Sequence, residues 1–327
     1  MGSESDIELG NTEVSKGELR QRKKRKLSDS GPPVATRPFV GRIGGNQEFT
    51  VSPDASDFTR VTSKAPDAAA NFTWQQSFNL QGFKDPELWK EATIEGIGAC
   101  AQTYIGGLYS MGLAPALTAT ALGPITPAVF GSIATAMLIV LFIFAGGPVS
   151  GGHFNPLITL ATFTTRLSTF PRTVLYVSCQ CVGGVVAGWI LRGTLGLSAE
   201  AFRSAPGCFF DSELVTPGQA YGLETMTAFV LVFIAFGVAL DPRQRDTLGP
   251  ALSSILVGMA IMLCTFASGI ARPGYSGAAM NPARCLGLMS AAEKFDYHYV
   301  HWAGAFTATG VNGFLYWLIP PYKNSKN

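Results

Sequence analysis

The sequence predicts an all-α polytopic membrane protein with six transmembrane helices plus two re-entrant half-helices in an inverted repeat. Three observations predict it. Charged residues are only 14% of the 327 and most lie in the first quarter, so long later stretches contain almost none. Two short stretches, Ser150-Gly151-Gly152-His153-Phe154-Asn155-Pro156-Leu157 and Ser276-Gly277-Ala278-Ala279-Met280-Asn281-Pro282-Ala283, share the order Ser-Gly-x-x-x-Asn-Pro. Each is preceded, at nearly the same distance, by a glutamate in an apolar run, Glu95 and Glu224.

Taken in order, residues 1–85 are rich in Ser, Gly, Pro, Asp and Lys and read as a disordered, basic cytoplasmic N-terminal tail. The basic run from Arg20 to Lys26 is either a solvated charge run or a patch attracted to anionic lipid, which phosphorylation at Ser28 or Ser30 would release. Asn71-Phe72-Thr73 fits a glycosylation acceptor but falls on the wrong side of the membrane. With no apolar run before this tail ends, the first helix is expected to serve as its own signal.

Six stretches reach or approach the roughly 20 apolar residues a bilayer requires. They are Ala92 to Tyr109, Pro124 to Gly147, Val174 to Leu197, Tyr221 to Leu240, Pro250 to Ala271 and Tyr299 to Pro320. A soluble protein would need polar faces on some of these helices, and they show little amphipathic alternation. Lys84, Lys90, Arg166, Arg172, Arg243, Arg245, Lys323 and Lys326 fall on one side, which the positive-inside rule makes cytoplasmic, with both termini there.

The repeated motifs follow from helix-start chemistry: a glycine turn, Asn as N-cap, and Pro where its missing N–H is not needed. The helices they open run into Thr164-Thr165-Arg166 and Glu293-Lys294 too soon to span a bilayer. Each unit holds three spans, an odd number, so the second inserts upside down and the half-helix N-termini meet near the midplane. Unpaired N–H groups and about half a positive charge at each tip describe a pore. Glu95 and Glu224, costly inside a span, are assigned to accept hydrogen bonds from the re-entrant loops; a proton relay is the alternative reading.

Pore-lining carbonyls are expected from Gly151, Gly152 and His153 on the inner half and from Gly277, Ala278 and Ala279 on the outer half. At the centre, the Asn155 and Asn281 amides would donate to a passing oxygen, while the two positive helix ends repel cations and protons. Arg284, buried in the non-cytoplasmic half, requires polar surroundings that a pore mouth supplies. The cysteine spacing does not make a metal site. Cys208 and Cys285 both fall toward the oxidising side, which permits a disulfide without requiring one. Nothing in the motifs points to catalysis, a cofactor or nucleic acid.

The two Asn-Pro motifs, the paired glutamates and the six-plus-two layout together resemble the aquaporin and glycerol-channel family, the major intrinsic proteins. Asn155-Pro156-Leu157 and Asn281-Pro282-Ala283-Arg284-Cys285 are similar to those of the X intrinsic proteins of plants and fungi. The resemblance implies a channel domain over 86–321, with repeats over 86–197 and 218–321, and a short cytoplasmic tail over 322–327. It implies a pore centre of Asn155, Pro156, Leu157, Asn281, Pro282 and Ala283, and a selectivity ring including Arg284, Ala278 and Thr135, with one more residue between Thr265 and Gly269. His153 would pack the inner vestibule, a pH gate being the alternative. Leu157 departs from the family's usual alanine, so small residues nearby are expected to compensate.

The function implied is passive passage of water or small neutral solutes, with glycerol, urea, hydrogen peroxide and boric acid as candidates. A homotetramer in the lipid of the plasma membrane is implied with it. A proton-coupled transporter and a pore-closed membrane scaffold are the alternatives from other classes.

Overall fold

The computed structural model describes residues 38–44, 50, 51, 53–70, 72–118, 123, 125–242 and 245–319. The basic run from Arg20 to Lys26, Ser28, Ser30, Asn71, Arg243, Lys323 and Lys326 lie outside the described residues.

Helices dominate. Two short ones, α1 (Phe58–Lys64) and α2 (Trp74–Ser77), precede the long α3 (Pro86–Thr118) and α4 (Ile125–Gly146). Then come α5 (Pro156–Thr164), α6 (Phe170–Leu195), α7 (Pro217–Ala235), α8 (Arg245–Gly269), α9 (Pro282–Ala291) and α10 (Tyr299–Leu318). A π-helical turn, Phe236–Leu240, extends α7. Gly249, at φ 65°, interrupts the start of α8, so the regular helix begins at Pro250 as the sequence predicts.

Four of the long helices, α4, α6, α7 with its extension, and α8 from Leu248, are long and apolar enough to cross a membrane. The other two, α3 and α10, are long enough but diluted by inward-facing polar residues: Glu91, Glu95 and Gln102 on α3, and His301, Thr309 and Asn312 on α10, all buried. The half-helices α5 and α9 have 9 and 10 residues. At 1.5 Å per residue each is about 15 Å long, half the hydrocarbon thickness.

Packing follows an internal two-fold. α3 packs on α6 as α7 packs on α10, α9 lies against α6 as α5 lies against α10, and α4 pairs with its own counterpart α8. Such packing in lipid relies on close backbone approach at small residues. A Cβ placed on Gly184 would sit 2.2 Å from the Ala283 carbonyl oxygen, and one on Gly188 would sit 2.1 Å from that of Gly287. Half-helix α9 is thereby pressed directly onto α6.

The N-terminal assignment needs correction. Of the 85 residues assigned to a disordered tail, several of those described from 38 onward pack inward: Phe39, Val40, Ile43, Ala65, Ala68 and Phe72 are buried. Averaged composition hid these scattered apolar residues, each of which finds its own niche. Arg172, counted among the positive-inside residues, is fully buried and pairs with Asp67 at 2.7 Å and with Glu91, while Tyr176 accepts from it at 2.7 Å. Two carboxylates recruited from the N-terminal segment and α3 make its burial tolerable.

Gly184→Leu is expected to abolish a monodisperse detergent-solubilised species in size-exclusion chromatography. Gly193→Leu on the same helix, where an added Cβ meets nothing within 4 Å, should be tolerated.

Candidate functional site

The two re-entrant loops have the same backbone. Gly151 and Gly277 take φ of 106° and 109°, and Phe154 and Met280 take 47° and 50°. Holding a non-glycine residue there costs about 1–2 kcal/mol each. The strain turns the Phe154 and Met280 carbonyls toward the opposite loop. Asn155 Nδ2 donates to the Met280 carbonyl at 2.7 Å, and Asn281 Nδ2 donates to the Phe154 carbonyl at 3.3 Å. The Asn oxygens face the other way and cap their own helices. Asn155 Oδ1 accepts from the Leu157 N–H at 2.9 Å, and Asn281 Oδ1 from those of Ala283 and Arg284 at 3.1 and 3.2 Å. Each amide has a second N–H, and both residues line a cavity of about 860 Å³. Pro156 and Pro282 open the half-helices, and Leu157 and Ala283 behind them are fully buried. Leu157 belongs to a large apolar cluster that includes Val40, Ile43 and Leu167, so its extra volume is absorbed on the inner side.

The buried glutamates hold the loops from outside. Glu95 accepts from the N–H groups of His153 (3.0 Å) and Phe154 (2.5 Å), from the Ser150 hydroxyl and from Gln180 Nε2 at 2.8 Å. Glu224 accepts from the Ala279 N–H at 2.9 Å and from the Tyr275 hydroxyl at 3.2 Å, with His301 Nδ1 also at 3.2 Å. Sequence reasoning missed Gln180, Tyr275 and His301. Each is a single polar residue far along the chain, with no spacing that ties it to its glutamate.

On the side of the second motif the cavity is lined by Arg284, Ala278, Thr135, Gly277 and Ala279, and also by Thr265 and Gly269 from α8. Tyr109 on α3 joins them, a residue the sequence did not flag. Thr135 gives its hydroxyl hydrogen to the Gly131 carbonyl at 2.7 Å, so the Tyr109 hydroxyl donates to Thr135 Oγ1 at 2.8 Å. Arg284 Nη2 donates to the Pro206 carbonyl at 3.1 Å. That carbonyl belongs to the loop before α7, which is fastened to the second motif twice. Cys208 and Cys285 form a disulfide, and Ser276 accepts from the Gly207 N–H at 2.9 Å while donating to the Phe209 carbonyl at 3.0 Å.

The inner half differs from the sequence expectation. Gly151, Gly152 and His153 are buried and none lines the cavity. The Gly151 carbonyl accepts from the Ile43 N–H at 3.0 Å. His153 Nδ1 meets the Thr159 hydroxyl at 3.1 Å and Nε2 the Gly41 carbonyl at 2.9 Å, so Nε2 carries the hydrogen and donates. The N-terminal segment supplies the partners of the Gly151 carbonyl and the His153 ring.

Two oppositely running half-helices joined tip to tip beneath a polar-floored cavity define a membrane channel of the re-entrant-loop class. The chain belongs to the major intrinsic protein family, whose family model matches residues 82–316. The rice protein "Probable aquaporin TIP4-1" (Oryza sativa subsp. japonica) is 32% identical over 187 residues, covering 57% of this chain and 68% of its own. Aquaporin TIP1-1 of Arabidopsis thaliana is 32% identical over 199 residues, covering 59% of this chain and 73% of its own. The X-ray structure of the aquaglyceroporin from Plasmodium falciparum superposes with a TM-score of 0.55 at 18% identity, over 70% of this chain and 98% of that one, which shows the shared fold. The protein is a passive channel for water and small neutral solutes, not an enzyme.

Glu95→Ala would leave the N–H groups of His153 and Phe154 unpaired at about 1–3 kcal/mol each. It should lower the thermal midpoint in detergent, measured by intrinsic fluorescence. Glu95→Gln, which keeps one acceptor oxygen, should fall between it and the parent.

Proposed function

We propose that Asn155 and Asn281 form the central station of the conduction path, and that a ring of Arg284, Ala278, Thr135, Tyr109 and Gly269 selects solutes above it. One observation carries this reading: both asparagines spend one N–H on the opposite loop, and both lie at the floor of the cavity that holds the ring. An oxygen arriving from the cavity meets the remaining amide hydrogens, and the half-helix N-termini behind them oppose cations and protons. Pro156, Leu157, Pro282 and Ala283 keep the two tips together, and Gly277 and Ala279 supply backbone to the outer wall. Glu95 and Glu224 serve structure. Their oxygens are engaged by loop donors, which supports that role over a proton relay.

Ala278 and Gly269 leave one side of the ring without bulk, while Arg284, Thr135 and Tyr109 supply hydrogen-bonding groups on the other. That combination suits polyhydroxylated or amide solutes such as glycerol, urea and boric acid, with hydrogen peroxide and water as smaller passengers. The motif sequence supports placement among the X intrinsic proteins. Both termini are assigned to the cytoplasm, with a homotetramer in the lipid of the plasma membrane as the working assembly.

A swelling panel on purified protein in liposomes tests this: uncharged solutes should equilibrate with no dependence on an imposed pH gradient, whereas gradient-driven accumulation would indicate coupled transport. Arg284→Ala should raise glycerol and urea flux relative to water several-fold, and Tyr109→Phe, which frees an acceptor site on Thr135 Oγ1, should reorder the solutes without closing the pore. Asn281→Asp should admit cations, read as ionic current in planar bilayers; unchanged solute ranking and no current would remove the roles assigned.

A further inference from the structure

We infer that residues 38–44 are a plug, built into the chain, that closes the pore on the side of the asparagine pair opposite the cavity. The inference rests on the channel reading above and adds its regulation.

The segment lies where a solute leaving the asparagines would have to go. Phe39, Val40, Arg42 and Ile43 are between 0% and 5% exposed. The Ile43 N–H occupies the Gly151 carbonyl, and the Gly41 carbonyl occupies His153 Nε2. Gly151 and His153 belong to the first re-entrant loop, at the positions that correspond to Gly277 and Ala279, which line the cavity. Val40 and Ile43 complete an apolar cluster with Ile143, Leu157, Leu167 and Leu240, which come from α4, α5, the turn after α5, and the extension of α7. One heptapeptide thus bridges both repeats. A segment lying only in a groove between two helices would not reach the first re-entrant loop and both repeats at once.

The fit is close and uses this sequence. At Gly41 an added Cβ would lie 2.7 Å from the Phe39 ring and 2.9 Å from the Leu167 carbonyl oxygen. At Gly44, φ is +88° and the Pro250 Cα would be 2.8 Å away. Between them Arg42 Nη1 donates to the Gly147 and Pro148 carbonyls, both at 2.9 Å, just past the C-terminus of α4, where the helix dipole favours a cation. The same guanidinium lies 3.7 Å from Glu91 on α3. Burial pushes the Arg42 pKa below its ordinary value, and Glu91 opposes that shift. Phe39 sits 3.9 Å beneath the Arg172 guanidinium, a cation–π contact that joins the plug to the buried Arg172–Asp67–Glu91 cluster. The Val40 N–H to Asp67 carbonyl and Gly44 N–H to Ala239 carbonyl bonds, at 2.7 and 3.2 Å, close the outline.

All these ties are non-covalent: hydrogen bonds, the Arg42–Glu91 ion pair, the Phe39–Arg172 cation–π contact and apolar packing. The closed state is therefore one side of an equilibrium that a competing interaction shifts.

The test is stopped-flow light scattering on proteoliposomes holding the full chain or one of three variants: residues 38–44 replaced by a Gly-Ser stretch of equal length, Gly41→Val, and Arg42→Ala. Incorporation is matched by quantitative blot. Flux scales with the unplugged fraction, so the replacement should raise water or glycerol permeability about fivefold or more, with Gly41→Val and Arg42→Ala rising by less in the same direction. Should the replacement fail to reconstitute, the two point variants give the same readout. Permeability equal to the parent's in every reconstituted variant would overturn the plug and leave the channel standing. Flux no greater than that of empty liposomes in parent and all variants would overturn the channel reading, and the plug with it.

Discussion

The structure depends on an exchange of hydrogen bonds at its centre. Asn155 and Asn281 each cap their own half-helix with the side-chain oxygen and hold the opposite loop with the side-chain nitrogen. One side chain therefore terminates a helix, fastens two repeats together and presents a donor to the cavity. No other residue type has this combination at that length: aspartate lacks the donors, and serine lacks the reach to use both sides. The left-handed conformations at Phe154 and Met280 exist to aim the accepting carbonyls, and their strain is offset by the bonds they receive.

The same accounting explains the buried acids. Irregular backbone inside a membrane protein exposes N–H groups that no water reaches, so each must find a partner in the protein. Glu95 and Glu224 supply those partners from the neighbouring long helix of each repeat. Around them the two halves diverge: Glu95 is completed by Ser150 and Gln180, Glu224 by Tyr275 and His301. The symmetry is one of backbone function, and the side chains that satisfy it are local solutions.

The largest break in symmetry is at the two mouths. The outer loop is pinned by the Cys208–Cys285 disulfide and the Ser276 hydroxyl, which hold the Pro206 carbonyl against Arg284 and keep a cavity in front of the second motif. Among the described residues the inner mouth has no disulfide. It is filled by Phe39 to Gly44, whose backbone bonds the Gly151 carbonyl and the His153 ring. A pore held open by a covalent strap at one end and occupied by a non-covalent segment at the other is suited to control from its inner side.

The helices and the half-helix starts were legible because they rest on local rules: apolar length for the spans, Asn-Pro for the N-caps, and matched glutamates for the repeat. Arg284 and Ala278, named from the family resemblance, and Thr135, named by counting back from Asn155, all line the cavity. Tyr109, Gln180, Tyr275 and His301 were not legible, because each contributes one polar atom across a helix interface and leaves no periodic trace. The sequence by itself determined that two polar-tipped half-helices must meet inside an apolar bundle, since neither can span the membrane nor leave its N–H groups unpaired. Only the tertiary structure decided that Arg172 is buried and that residues 38–44 occupy the inner mouth. Both outcomes depend on distant partners, Asp67 with Glu91 for the one and Gly151 with His153 for the other, that chain folding alone brings within hydrogen-bonding distance.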